Sequence, residues 1–367
     1  MTAADHGTTR TTTDARRPRR RIARWVLAGV VGLLVLAVAG YVVRNLAYAR
    51  WDAWRAERAG FVEKRTTIDG STINYAEGPD NGPPLLLIHG QATTWQSWHR
   101  VLPDLSERFH VFAVDVYGHG KSARVPEKYT ARAIAADMEQ FLTQVVGEPA
   151  TVAGHSSGGL IAAVLAADAP QHVRGVILED PPFFSSVLPR AEKTFTHVGL
   201  HTAAHEFLES GENDFTDYFI RHANIWNLIP GIGDDIQRHA LSYRRNHPGE
   251  PVRLFYAPPT LNNIFLGLES YDPHFGDAFY TNRFHDGFDH ADTLARIDMP
   301  AVLIHTNWMY DKNGILLAAM SGEDARRARS LLEDVEFYRV KTGHGFHFED
   351  PDHFTQITLD FEGRIRG

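Results

Sequence analysis

The chain has 367 residues, 43 % of them hydrophobic and 22 % charged, and no cysteine. This is the composition of a globular protein with room for one large domain or two ordinary ones. It excludes a thiol nucleophile, a cysteine-ligated metal and any disulfide. The net charge of −8 is uneven: residues 1–24 hold seven Arg against Asp5 and Asp14, a net +5, which leaves −13 on the rest and disfavours nucleic acid as a partner.

Residues 1–24 are rich in Thr, Ala and Arg and cannot bury a core, so a disordered basic tail is expected there. Trp25 to Val43 then runs for 19 positions without a charge. As a helix it spans about 28 Å, close to the hydrocarbon thickness of a bilayer. Trp25 and Tyr41 sit at its ends, where amphipathic rings favour the interface. The Arg excess on its N-terminal side predicts a single-pass cell-membrane anchor with the N-terminus cytoplasmic and the body outside. Ala37-Val38-Ala39 offers an alternative, cleavage near Ala39 and release. Residues 44–60 read as a helical spacer.

Thr66–Ile68 and Ser71–Tyr75 flank Asp69-Gly70 and predict a hairpin. From Pro84 on, strands and helices alternate, which predicts a mostly parallel sheet covered on both faces, an α/β fold. Strands are expected at 85–88, 111–116, 150–153, 176–178, 301–304 and 335–340, with helices over 131–146, after Ser156, and over 352–364. Between Pro181 and Ala295 the alternation is lost for over a hundred residues. That is too long for a bare loop. We read residues 182–295 as a helical cap over the carboxyl ends of the strands, with the core at 61–181 and 296–367.

The chemistry-bearing stretch is Gly154-His155-Ser156-Ser157-Gly158, between a strand and an Ala/Leu-rich helix stopped by Pro170. Gly-x-Ser-x-Gly in that context is a nucleophile elbow: the turn is so sharp that side chains two residues either side would clash. His89-Gly90-Gln91 follows the 85–88 strand, so the backbone N–H groups of Gln91 and Ser157 are the expected oxyanion donors. A serine needs a base, and His344, between Gly343 and Gly345 after the last strand, is free to reach it. His347 is the competitor and reads as a packed histidine. The base needs an acid to fix its tautomer. Two aspartates qualify: Asp311, after the 301–304 strand, is preferred, and Asp180, at the end of the preceding strand, is the alternative.

His89-Gly90, Asp115-Val116-Tyr117-Gly118-His119-Gly120-Lys121-Ser122, Gly154–Gly158 and Gly343-His344 resemble the α/β-hydrolase superfamily in order and spacing over residues 61–367. The resemblance implies a serine nucleophile at Ser156, His344 as general base, an acid, and a helical cap. One departure concerns the acid. The usual Gly-x-x-Asp after the acid-bearing strand is here Thr306 to Met309, and Asp311 is displaced by two. Ser156 in place of Asp argues against the epoxide and halide branches of the family, which need a carboxylate nucleophile.

His197, His201 and His205 recur at i, i+4, i+8 and could face a metal; a polar helix face or pocket wall is the simpler reading, and no metal or other cofactor is expected. Phe183, Phe184, Phe195, Phe207, Trp226, Phe255 and Tyr256 read as cap core with a few pocket-lining members, which favours an apolar substrate. The expectation is a membrane-anchored serine hydrolase cleaving an ester-like bond of a largely apolar small-molecule or lipid-like substrate. The alternatives are an amidase or carbon–carbon hydrolase with the same residues, or a non-catalytic receptor.

Overall fold

The computed structural model describes residues 2–4, Gly7 and 16–366, with side chains from Ala23 onward. The expectation of disorder for residues 1–24 falls mostly outside the described residues. From Arg16 the backbone is helical instead, in one continuous helix Arg16–Arg58. Pro18 lies in its first turn, where a missing N–H costs nothing.

β1 (Val62–Ile68) and β2 (Ser71–Glu77) pair antiparallel around Asp69 and Gly70, whose φ angles of 44° and 74° place both turn residues in the left-handed region that a tight hairpin needs. Then come β3 (Pro84–Ile88), β4 (His110–Val114), β5 (Ala150–His155), β6 (Val173–Glu179), β7 (Ala301–His305) and β8 (Val335–Arg339). They build one eight-stranded sheet in the order β1-β2-β4-β3-β5-β6-β7-β8, antiparallel between β2 and β4 and parallel from β4 to β8. Every residue of β3, β5 and β7 is buried, as a sheet covered on both faces requires. Alternate residues serve opposite faces. Leu86, Ile88, Val152, Leu178 and Leu303 join one core, and Leu85, Leu87, Ala153, Ile177, Val302 and Ile304 join the other with Trp98, Phe354 and Phe361.

Thr130 caps the helix Ala131–Phe141 by accepting from the Ala133 N–H, and left-handed Gly147 ends the turn that follows. Between β6 and β7 the chain is helical, including Thr202–Ser210, Phe215–His222, Gly233–Asn246, Pro259–Leu268 and Pro273–Tyr280. The cap packs on the core through buried Phe219, Phe265, Phe275, Phe279 and Phe284.

The N-terminal helix changes character along its length. Its side chains are exposed from Ala23 to Tyr41. Beyond that, Asn45, Tyr48, Asp52 and Ala56 are buried against the body on one helical face. The Tyr41 hydroxyl donates to the Tyr256 carbonyl (3.0 Å), Asn45 Nδ2 to the Phe255 carbonyl (3.1 Å) and the Tyr48 hydroxyl to Asn263 Oδ1 (2.9 Å). Arg100 bonds Asp52 (2.9 Å) and the Phe348 carbonyl (2.7 Å). Residues 44–58 therefore brace the domain, which a free spacer would not do. Trp51 and Trp54 stay exposed, stacked on each other at 4.9 Å.

Candidate active site

β5 delivers Ser156 at its C-terminal end, and the helix Ser157–Asp168 starts immediately after it. Ser156 has φ 56° and ψ −123°, a conformation that non-glycine residues rarely hold and that lifts its side chain off the sheet. Close approach explains the flanking glycines. A Cβ at Gly154 would lie 2.3 Å from the Gly158 carbonyl oxygen, and one at Gly158 would lie 2.3 Å from the Ile88 carbonyl oxygen. Gly90 packs on Ser156 itself, since a Cβ there would meet Ser156 Cβ at 2.9 Å.

The backbone N–H groups of Gln91 and Ser157 have no acceptor among the described residues. The Ser157 N–H opens a helix, whose dipole favours negative charge at that spot. The Gln91 side chain is held from the cap: Tyr271 donates to its Oε1 (3.0 Å), and its Nε2 donates to His201 Nε2 (3.1 Å). Burial, with His197 and His285 nearby, holds His201 well below the ordinary imidazole pKa, in the neutral form that accepts this bond.

His344 lies after β8 in the loop before Phe346–Glu349. Its Nδ1 donates to Asp180 Oδ2 at 2.7 Å. The preference for Asp311 as its acid is thereby corrected. Asp311 Oδ1 accepts from the N–H groups of Asn313 and Ile315 (both 2.8 Å) and closes a surface turn of its own. Those same bonds, the Ile315 N–H first, hold its carboxyl below the usual range. Asp180 ends β6 with a φ of 44° and is fully buried. Thr306 Oγ1 donates to the same Oδ2 at 2.7 Å. The threonine standing where the family pattern has Gly is thus the residue that supports an acid moved to the preceding strand. Burial alone would lower the His344 pKa. The Asp180 hydrogen bond and charge, with Glu179 and Glu349 adding to them, outweigh burial and raise it.

A second acid–histidine pair runs alongside. Glu179, buried, accepts from both the ring Nδ1 and the backbone N–H of His347, each at 2.9 Å. His347 therefore faces Glu179, and its ring packs on Trp98 at 4.0 Å. His155 Nε2 donates to the His344 carbonyl (2.9 Å), and burial, with His344 and His347 nearby, keeps it neutral. His155, Glu179 and His347 bring ligand-type atoms within 4.8 Å of one another. The Glu179 carboxylate is already committed to His347, so these three read as a brace for the His344 loop. The residues were visible in the sequence; their pairing was not, because Glu179 and His347 lie 168 positions apart.

The cap histidines do not converge. His201 bonds Gln91, His205 bonds Asp277 (2.8 Å) and stacks on Tyr280 (4.0 Å), and His197 stacks on the same Tyr280 at 5.1 Å. Ser156, Gln91 and His344 line a cavity of about 320 Å³. Phe195, Phe219, Ile225, Ile264 and His344 also line an adjoining cavity of about 450 Å³, whose other walls include Trp226, Leu261, Phe265 and Leu317. Of the aromatics expected inside the cap, Phe255 is instead 56 % exposed.

The alpha/beta hydrolase fold family matches residues 83–351. The chain is 35 % identical over 132 residues to the dihydrolipoyllysine-residue acetyltransferase component of an acetoin cleaving system from Cupriavidus necator, covering 36 % of this chain and 35 % of that protein. It is 33 % identical over 101 residues to a soluble epoxide hydrolase from a Corynebacterium species, covering 28 % and 35 %. The chain thus spans about a third of the length of these relatives. Among solved structures, a bacterial membrane phospholipase A superposes with a TM-score of 0.61 at 24 % identity, over 94 % of this chain and 99 % of that one. An enol-lactonase from Burkholderia xenovorans does so with 0.56 at 19 %, over 82 % and 100 %. With the family match covering most of its length and the sheet order described above, the chain belongs to the α/β-hydrolase fold family.

Proposed function

We propose that this chain is a membrane-anchored serine hydrolase that cleaves the carboxylic ester of an acyl lipid or similar apolar substrate. The observation that carries the reading is the pairing of a strained elbow serine with the Asp180–His344 couple in one cavity that adjoins a larger apolar one. Ser156 Oγ attacks the ester carbonyl while His344 Nε2 takes its proton. The oxyanion is held by the Gln91 and Ser157 N–H groups, and Asp180 stabilises the imidazolium. His344 then protonates the leaving alkoxide, which departs as the alcohol and leaves an acyl-enzyme. Water, deprotonated by His344, attacks the acyl-enzyme; the acid is released and Ser156 regains its proton. No cofactor enters these steps. A serine at the elbow supports this chemistry over epoxide or halide opening, which needs a carboxylate nucleophile.

The apolar segment Trp25–Val43 supports an anchor: a 36-residue helical stretch from Ala23 to Arg58 is long and apolar enough to cross a bilayer, with a mean hydropathy of 2.6 in its best window. The Arg-rich N-terminal flank favours a cytoplasmic N-terminus and an extracytoplasmic body.

Matched p-nitrophenyl esters and anilides of rising acyl length test the reading. The expected result is ester hydrolysis, favouring longer chains, that disappears in Ser156→Ala. Equal or greater activity on the anilides would reassign the enzyme as an amidase. Tight binding without turnover in the folded protein would make it a receptor.

A further inference from the structure

A third cavity, of about 300 Å³, lies where the N-terminal helix meets the body. Tyr48, Arg50 and Asp52 form one wall, Arg253 and Asn263 of the cap another, and Thr93, Thr94 and Ser97 the floor. Its charge is unbalanced. Neither Arg50 nor Arg253 has an acidic partner among the described residues, whereas the one acid in the wall, Asp52, is committed to Arg100 at 2.9 Å. His99, also in the wall, is pushed down to about 4 by burial and adds no charge at neutral pH. The Ser97 hydroxyl is buried without a hydrogen-bond partner. Two guanidinium groups, a free hydroxyl and the Asn263 amide match what a phosphate anion needs.

The position of this cavity matters as much as its chemistry. Val43 closes the apolar run, and the helix then rises along the cap through Asn45 and Tyr48. At 1.5 Å per residue, Tyr48 stands about 7.5 Å beyond Val43, at the outer edge of a headgroup layer. Phe255, 56 % exposed, lies beside Tyr41 at the base of that rise. The cavity is contiguous with the nucleophile: Thr93, Ser97, Asn263 and Phe348 line both it and the cavity that holds Ser156.

We propose that this cleft between the N-terminal helix and the cap is a headgroup subsite, in which Arg50 and Arg253 take the phosphate of a glycerophospholipid drawn from the adjoining leaflet. The acyl chain then occupies the apolar cavity past Ile264 and the ester carbonyl lies at Ser156. This deepens, and for its turnover consequence rests on, the ester-hydrolase reading above.

The test uses the full chain in detergent micelles. Turnover of dioctanoyl phosphatidylglycerol is compared with that of dioctanoylglycerol, which has the same esters but no phosphate. The ratio of the two kcat/KM values should fall about ten- to a hundred-fold in Arg50→Gln/Arg253→Gln, the range for losing charge-assisted hydrogen bonds. A variant that misfolds loses turnover of both substrates and is recognised by its unfolding curve; in a variant that unfolds like the wild type, an unchanged ratio overturns the proposal. Binding of dioctanoyl phosphatidylglycerol to Ser156→Ala, with and without the two arginine substitutions, reads the subsite even if the chain hydrolyses no ester. Arginine-dependent binding upholds the subsite; binding indifferent to the arginines overturns it. Inorganic phosphate at 10 mM, on the order of the lowest affinities of interest, is not expected to compete. Arginine-dependent competition as strong as that of the lipid would make the cleft a free-phosphate site and overturn its lipid assignment.

Discussion

Replacing Asp180 by Asn removes a charge without removing volume. In the wild-type chain Asp180 Oδ2 accepts twice, from His344 Nδ1 (2.7 Å) and from Thr306 Oγ1 (2.7 Å), while Oδ1 faces the Thr306 N–H at 3.4 Å. An amide can keep its oxygen toward His344, but its NH2 then opposes the Thr306 N–H. Turned the other way, the NH2 faces His344 and forces the tautomer that carries its proton on Nε2, which cannot accept from a serine. Either orientation loses the charge that stabilises the imidazolium. In a comparable triad the loss is roughly 10⁴ in kcat, about 5 kcal/mol. The assay is kcat on a soluble ester together with thermal unfolding. Asp311→Asn is the control and should cost less than about threefold in kcat, because its carboxylate serves only its own exposed turn. Near-normal turnover in Asp180→Asn, with a thousandfold loss in Asp311→Asn and both proteins folded, would refute the reasoning.

Four further outcomes follow from the structure. Because Asp180 raises the His344 pKa, the acidic limb of the kcat/KM profile should lie above about 6.5, the ordinary imidazole value; a limb below it in the wild type contradicts the electrostatics. The same shift stabilises the fold below about pH 6.5, and that contribution is lost as pH rises through the raised folded value, so the gap in unfolding temperature between wild type and Asp180→Asn should narrow from pH 5 to pH 8. Glu179→Gln should lower kcat about tenfold and move the acidic limb down, since it loosens His347 and removes a charge that raises the His344 pKa; steady-state pH profiles check both. A chain beginning at Gly60 should be less stable by about 1–3 kcal/mol than one beginning at Tyr41, because it strips Asp52 from Arg100 and uncovers the surface beneath Tyr48, and denaturant unfolding of the two measures it.

Most of the frame was legible in the sequence because each part is local. Short apolar runs alternating with helices located the strands, Asp69-Gly70 marked the hairpin, and Gly-x-Ser-x-Gly between strand and helix marked the elbow. His344 followed from its place after the last strand. The acid was harder. The sequence offered Asp311 on the strand that usually bears it, yet Thr306 and Met309 already departed from the pattern there, and Glu179-Asp180 ended the neighbouring strand. Only the register of β6 against β7 shows that Thr306 and Asp180 meet. The brace of the N-terminal helix was hidden for a different reason. Asn45, Tyr48, Asp52 and Ala56 share one helical face, but a face this polar reads as solvent until Arg100, Phe255 and Asn263 are brought to it. The role of Gln91 in joining the cap to the loop after β3 likewise depends on Tyr271, 180 positions away.

The central claim is that Ser156 is an activated nucleophile served by Asp180 and His344. Labelling of the folded full chain with a fluorophosphonate, followed by peptide mass analysis, tests it most directly. A single adduct on Ser156 is expected, absent in Ser156→Ala and formed at least about a hundredfold more slowly in His344→Ala and Asp180→Asn. An adduct on another residue, no adduct on a folded protein, or labelling of Ser156 indifferent to His344 would contradict it.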